Sequence, residues 1–271
     1  MKYLENTIKF LGKFYILILP LYILAAVPAL MNGVSALANY SKLMGNMMSL
    51  MNDPMHMQDP FVVINMFSGV FKMAAGAGFI AFILNFLVTP AAYGMINKAL
   101  DTGHADLNDY LPALRENIVK YILYWIGTIV MVLTIVIAFG VIFLVLGLLT
   151  AVIKWIGVLL IVLAILGAII VSVGIAVLVS LWFPAMVVDN LDVIAALRKS
   201  IAIAKGNFLT ILGICILIWL TGVVAGSVLG LFGIIPVIGS LIASIVPAVT
   251  GFVFIVFFLM LYRDRTRGNV L

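Results

Sequence analysis

The chain has one cysteine, two histidines and ten carboxylates among 271 residues, and each shortage removes a class of chemistry. Cys215 alone forms no intrachain disulfide, and its apolar flanks make it a small packing residue rather than a redox group. His56 and His104 are not spaced as metal ligands, no glycine loop is arranged to cradle phosphate, and no nucleophile has a base beside it. No catalytic residue, cofactor or metal site is assigned, and an enzyme is not expected.

Charge is the most telling shortage. Asp, Glu, Lys and Arg make up 9% of the chain, where ordinary domains carry about 25%. With 66% apolar residues and 23 glycines, too little polar surface is left to cover a water-soluble globule of this length. Most of the chain is therefore solvated by lipid. The net charge of +5 lies in short clusters beside apolar runs, which is the pattern of membrane topology, so no nucleic-acid partner is expected.

A bilayer core about 30 Å thick needs about 20 apolar helical residues. Uncharged runs of that length predict an all-α integral membrane bundle of six transmembrane helices, at about 14–30, 73–96, 121–149, 157–183, 207–231 and 239–262. Residues 1–271 read as one polytopic membrane domain. Of the 15 Lys and Arg residues, only Lys42, Lys72 and Lys154 fall on one side of these spans. Basic flanks stay in the cytoplasm, so both termini are expected there and the segment 31–72 outside. The first thirty residues also have the basic start, apolar run and Val27, Pro28, Ala29 of a signal peptide, but equivalence of the first span to later ones argues that it is retained.

That equivalence is an internal repeat. Gly12, Lys13, Phe14 precedes the first span, Glu116, Asn117, Ile118 the third and Gly206, Asn207, Phe208 the fifth, while Thr89, Pro90, Ala91 and Phe183, Pro184, Ala185 end the second and fourth. The unit reads as a cytoplasmic amphipathic helix followed by a transmembrane hairpin, three times over. The third such helix, 191–205, is capped by Asp189, Asn190 or Asp192, with Gly206 in the left-handed conformation at its end. Its apolar face holds Val193, Ile194, Leu197, Ile201 and Ala204. Arg198, Lys199 and Lys205, with Arg115 and Lys120 at the entry to the third span, are candidate ligands for lipid headgroups. The Asp106–Glu116 segment is a weaker helix that Pro112 is expected to interrupt.

Helices in lipid associate where small residues let backbones approach. Gly222, Gly226 and Gly230 recur at intervals of four, and Gly239, Ala243, Pro247 and Gly251 do the same, a glycine-zipper pattern predicting a tight hairpin or an oligomer contact. Pro20, Pro28 and Pro247 are expected to kink their helices. Asn85 is the strongest polar group within a span, expected to bond another helix or to line a substrate cavity. Acidic and basic side chains are absent from mid-span positions, which disfavours an ion-coupled pump.

In the external segment Leu37, Tyr40, Met44, Met47 and Met51 recur at helical intervals, so the first span is expected to continue past the membrane. Met44, Met47, Met48, Met51, Met55 and Met57 lie beside His56, a set soft enough for Cu(I); flexible apolar filling is the simpler reading.

Leu181, Trp182, Phe183, Pro184, Ala185, Met186, Val187, Val188, Asp189, then Ala195–Ser200 and Lys205–Phe208, resemble the signature of a broad prokaryotic group. It includes the membrane domain of bacterial glycerophosphodiester phosphodiesterases and related standalone six-span proteins. The resemblance implies a multi-pass helical fold in a prokaryotic cytoplasmic membrane. The soluble phosphodiesterase barrel is absent here, so no activity comes with it. Two functions stay open: a non-enzymatic protein that organises or senses lipids, anionic headgroups among them, or a membrane partner; and a transporter or permease subunit for a small or amphiphilic solute.

Overall fold

A computed structural model describes residues 2–52, 60–235 and 237–268. Among them it is all-α, with ten α-helices and no strand: α1 (Lys2–Lys13), α2 (Leu19–Asn52), α3 (Pro60–Thr102), α4 (Tyr110–Val152), α5 (Lys154–Val179), α6 (Trp182–Val188), α7 (Val193–Gly206), α8 (Phe208–Gly230), α9 (Ile238–Ala243) and α10 (Ile245–Arg267). Six stretches are long and apolar enough to cross a membrane: Tyr15–Val34, Ala75–Thr102, Leu107–Ala151, Lys154–Val188, Phe208–Gly230 and Ile238–Arg267. The protein is a multi-pass membrane protein. Lipid-facing surface accounts for the many large apolar side chains left exposed on α4, α5 and α8.

The chain forms two compact units, one of residues 1–114 and 216–256, the other of 115–215 and 257–271. In the first, α2 packs along α3, with Leu21 and Ala26 buried near its start and Leu17 buried in the turn just before it. Ala91, Ala92, Met95 and Ile96 of α3 are also in the core, and Phe10 of α1 stacks on Phe252 at 6.1 Å. Tyr22 donates to the Leu241 carbonyl at 3.2 Å, tying α2 to α9. At 34 residues α2 is about 51 Å long, well beyond a bilayer core, so the first span does run on as helix. Met44 and Met48 are exposed there. Met55, His56 and Met57, on which the copper reading turns, lie outside the described residues.

Prolines act by position. Pro28 and Pro90 lie inside α2 and α3, and Pro20 falls in the first turn of α2. Pro112 does not interrupt the 110s segment as expected: it sits in the first turn of α4, where a missing N–H costs no helical bond. Asp106 starts that region with a capping box, accepting from the Asn108 N–H at 2.9 Å while Asp109 accepts from the Asp106 N–H at 3.1 Å. Pro247 lacks the N–H that would bond the Ala243 carbonyl, and the hydrogen-bond ladder is interrupted at Ser244, between α9 and α10, within one membrane-length stretch. Asn85 bonds within its own helix, accepting from the Thr89 hydroxyl, and makes no bond to another helix among the described residues.

The second unit is held by aromatic packing. All seven residues of α6 are buried. Trp182 meets Tyr124 edge to face at 5.3 Å, and Phe183 meets Tyr121 at 5.0 Å. Gly127 on α4 makes room for the indole: a Cβ there would lie 2.8 Å from it. At the other end of α4, Lys154 and the 90% exposed Trp155 occupy the tip of the α4–α5 hairpin, a pairing that suits a membrane–water interface.

Candidate functional site

The polar residues of the second unit gather at the corner between α6 and α7. The chain leaves α6 at Asp189, turns through Asn190, whose φ of 53° is left-handed, and re-enters helix after Asp192. Asp192 is the cap, accepting from the Ala195 N–H at 2.7 Å. Such a bond satisfies one of the donors a helix start leaves open. The helix ends without the left-handed glycine expected at Gly206; the Asn207 N–H bonds the Ala204 carbonyl and its side chain bonds Ile203.

On α7 the deepest burial falls on small residues. Ala196, Ser200 and Ala204 are buried, whereas Ile194 is 64% exposed and Val193, Leu197 and Ile201 are half-buried. The reason is backbone approach. Ser200 donates to the Leu178 carbonyl of α5 at 2.8 Å, a contact that large side chains on that face would prevent.

Asp189 is the hub of this corner. Its carboxylate accepts from Lys199 at 2.6 Å and from the Tyr262 hydroxyl at 2.6 Å, and Arg267 stands 3.9 Å away while donating to the Val188 carbonyl at 2.9 Å. Desolvation pushes the carboxyl's pKa up, but hydrogen bonds from Lys199 and Tyr262 and the charges of Lys199 and Arg267 outweigh it and hold it below the usual aspartate value. Lys199 also lies 5.6 Å over the Tyr262 ring.

The headgroup candidates therefore divide. Lys199 is committed to Asp189. Lys120 is half-buried and donates to Asn117 at 3.2 Å, with Glu116 at 3.8 Å. Arg198, Lys205 and Arg115 are exposed, and none has an ion-pair partner among the described residues. The hub residues Asp189, Tyr262 and Arg267 were not singled out as a site from sequence, because they come together only when α10 returns to the corner.

In the first unit the small-residue stripes are used unevenly. A Cβ on Gly222 would meet Thr250 Oγ1 at 3.1 Å and one on Gly226 would meet Val246 at 3.9 Å, but Gly230 and Gly251 face open space. Gly239 is buried and Ala243 half-buried. A groove of about 390 Å³ lies between α1, α8 and α10, with Gly222 and Thr250 among its walls. A second groove, about 500 Å³, lies between α2, α3 and the start of α4 and is lined by Leu19, Ile23, Leu84, Leu87 and Tyr110 among others. Among the described residues no three His, Cys, Asp or Glu side chains are grouped to hold a metal.

A helical protein with six membrane-length stretches, a braced polar corner and apolar grooves is the class this geometry defines. The chain belongs to the family described as a domain of unknown function, DUF7847, whose model matches residues 16–265. No curated protein and no solved structure matches it.

Proposed function

We propose that this is a non-enzymatic protein of a prokaryotic cytoplasmic membrane, both termini cytoplasmic, that organises or senses anionic lipid through α7. The observation that carries the reading is the pairing on one short helix of exposed Arg198 and Lys205 with apolar side chains left at least partly exposed, Ile194 above all. A helix of that make-up lies at a headgroup boundary. Each basic residue near an anionic leaflet contributes about 1 kcal/mol, so the two give about 2 kcal/mol, enough to bias neighbouring lipids while staying sensitive to salt. Lys199 is the brace, not a lipid ligand.

The likeness of residues 181–208 to the membrane domain of glycerophosphodiester phosphodiesterases supports a lipid setting for this corner and brings no activity with it. A transporter of polar solutes is less well supported, since the grooves of the first unit have nearly all-apolar walls. A membrane protein partner with an acidic face is the other occupant that α7 suits.

The test is native mass spectrometry of co-purified lipid. Replacing Arg198 and Lys205 together with Gln is expected to lower the anionic fraction, whereas Lys199→Gln is expected to lower thermal stability and leave that fraction in place. An unchanged anionic fraction in the double variant overturns the lipid reading of α7.

A further inference from the structure

We propose that the groove between α2, α3 and the segment leading into α4 binds the ring system of an aromatic, membrane-dissolved amphiphile, at the place the second unit fills with its own Trp182. The groove lies wholly in the first unit and stands or falls separately from the reading of α7. Leu19 and Ile23 of α2, Leu84 and Val88 of α3, and Asn108 and Tyr110 line it.

The internal repeat points to the occupant. Ile23 and Gly127 each stand nine residues after the matched entries Phe14 and Ile118, and Val88 and Trp182 each stand two before the matched Pro90 and Pro184. Ile23 and Val88 line the groove; Gly127 and Trp182 meet in the second unit. The segments that close the two places match as well. Tyr110 and Ser200 each stand seven residues before the matched Asn117 and Asn207, and each hydroxyl donates to a carbonyl of the preceding span, Leu87 at 3.1 Å and Leu178 at 2.8 Å. Their neighbours Asp109 and Lys199 each pair with a charge near the end of that span, Lys98 and Asp189, with the signs exchanged. One site is built twice.

In the second unit an indole fills it. Trp182 is 2% exposed, packs edge to face on Tyr124, and donates from Nε1 to the Val193 carbonyl at 2.8 Å. In the first unit the matching Val88 is too short to bridge from α3 to the 107–111 segment, and about 500 Å³ stays open. A cavity of about 150 Å³ takes one benzene ring, so this groove has room for two or three fused rings. Tyr110, fixed by its bond to Leu87, supplies an aromatic wall, and rings in contact attract beyond the area they bury. Asn108 adds an amide at the edge, a partner for a ring hydroxyl or carbonyl. All the lining residues belong to membrane-length stretches, so the ligand arrives dissolved in lipid. Apolar walls with one or two placed polar groups are the make-up of a small-molecule site.

The experiment places the full-length protein in phosphatidylcholine nanodiscs with a lipid-soluble phenyl diazirine, and in parallel with an alkyl diazirine of similar size. Crosslinked residues are mapped by mass spectrometry. Expected is phenyl labelling of 84–88 and 107–111 about fivefold above that of the exposed face of α4, displaced by excess naphthalene, with no such excess for the alkyl probe. Val88→Trp should supply the missing indole and abolish groove labelling while leaving that of α4 unchanged. Phenyl labelling no stronger in the groove than on α4, or not displaced by naphthalene, overturns the proposal. Equal labelling by the two probes assigns the groove to a lipid chain and overturns it as well. These outcomes are read on the unaltered protein; a Val88→Trp protein that melts like the parent and still takes the label overturns the equivalence to Trp182.

Discussion

A methyl group on Gly127 would stand 2.8 and 2.9 Å from Cη2 and Cζ2 of Trp182 and 3.2 Å from Cγ1 of Val193. The indole has little freedom to yield. It is 2% exposed, it packs edge to face on Tyr124, and its Nε1 donates to the Val193 carbonyl at 2.8 Å. Overpacking a filled site costs about 1–3 kcal/mol. Alanine's better helix propensity offsets about 1 kcal/mol, so Gly127→Ala is expected to lose about 0–2 kcal/mol net.

Gly140 supplies the control on the same helix. A Cβ there meets nothing within 4 Å, so Gly140→Ala keeps the propensity term without the clash. The propensity term cancels between the two variants, and their difference isolates the overpacking, about 1–3 kcal/mol. Unfolding in mixed micelles with increasing dodecyl sulfate, followed by circular dichroism, measures it. Adding Trp182→Phe should recover part of the loss in Gly127→Ala, because the smaller ring leaves room for the methyl group. If the two alanine variants unfold together, Trp182 is not seated on Gly127 and the packing described for the second unit is wrong.

Three further outcomes are expected. Gly222→Leu should destabilise the detergent-solubilised protein more than Gly226→Leu, since Thr250 is within 3.1 Å of the added carbon at the first site and Val246 only within 3.9 Å at the second; the reverse order refutes this. Because the Asp189 carboxyl is held below its ordinary value of about 3.9, its stabilising effect is complete above that value and is lost as pH falls through the lower folded one. Melting temperature should therefore drop below about pH 4, and Asp189→Asn should flatten that acid limb; an identical limb in the variant refutes the hub. For topology, cysteines at the exposed positions Asn108 and Ala202 in a Cys215→Ala background should resist an impermeant maleimide in intact cells, while one at Gln58 reacts; labelling of 108 and 202 without lysis reverses the orientation.

The six spans are legible in the sequence because lipid acts on every residue of a run in the same way, and a run of 20 needs no partner to be recognised. The brace at Asp189 is not legible, because Lys199 and Arg198 are neighbours of the same type on the same helix. Asp189, ten residues back at the end of α6, takes Lys199 and leaves Arg198 in the open, and only the return of α10 brings Tyr262 and Arg267 to the same carboxylate. Gly127 is hidden for the same reason: nothing near it in sequence reveals the indole that needs its space.

The apolar face of α7 is legible in the sequence, but which of its residues pack most closely is not. In a soluble protein the large apolar residues mark the buried face, and on that rule Val193, Ile194, Leu197 and Ile201 should be inside. Beside a membrane the apolar surroundings accept large side chains at no cost, so burial goes to the residues that let backbones close up. Ala196, Ser200 and Ala204 recur at intervals of four, the same small-residue spacing visible in α8, and they are the ones buried. Small residues at α5 and large ones turned outward are two sides of one packing choice. It also gives α7 its chemistry, because the side chains excluded from the contact are Ile194 and, with it, the unpaired cations Arg198 and Lys205.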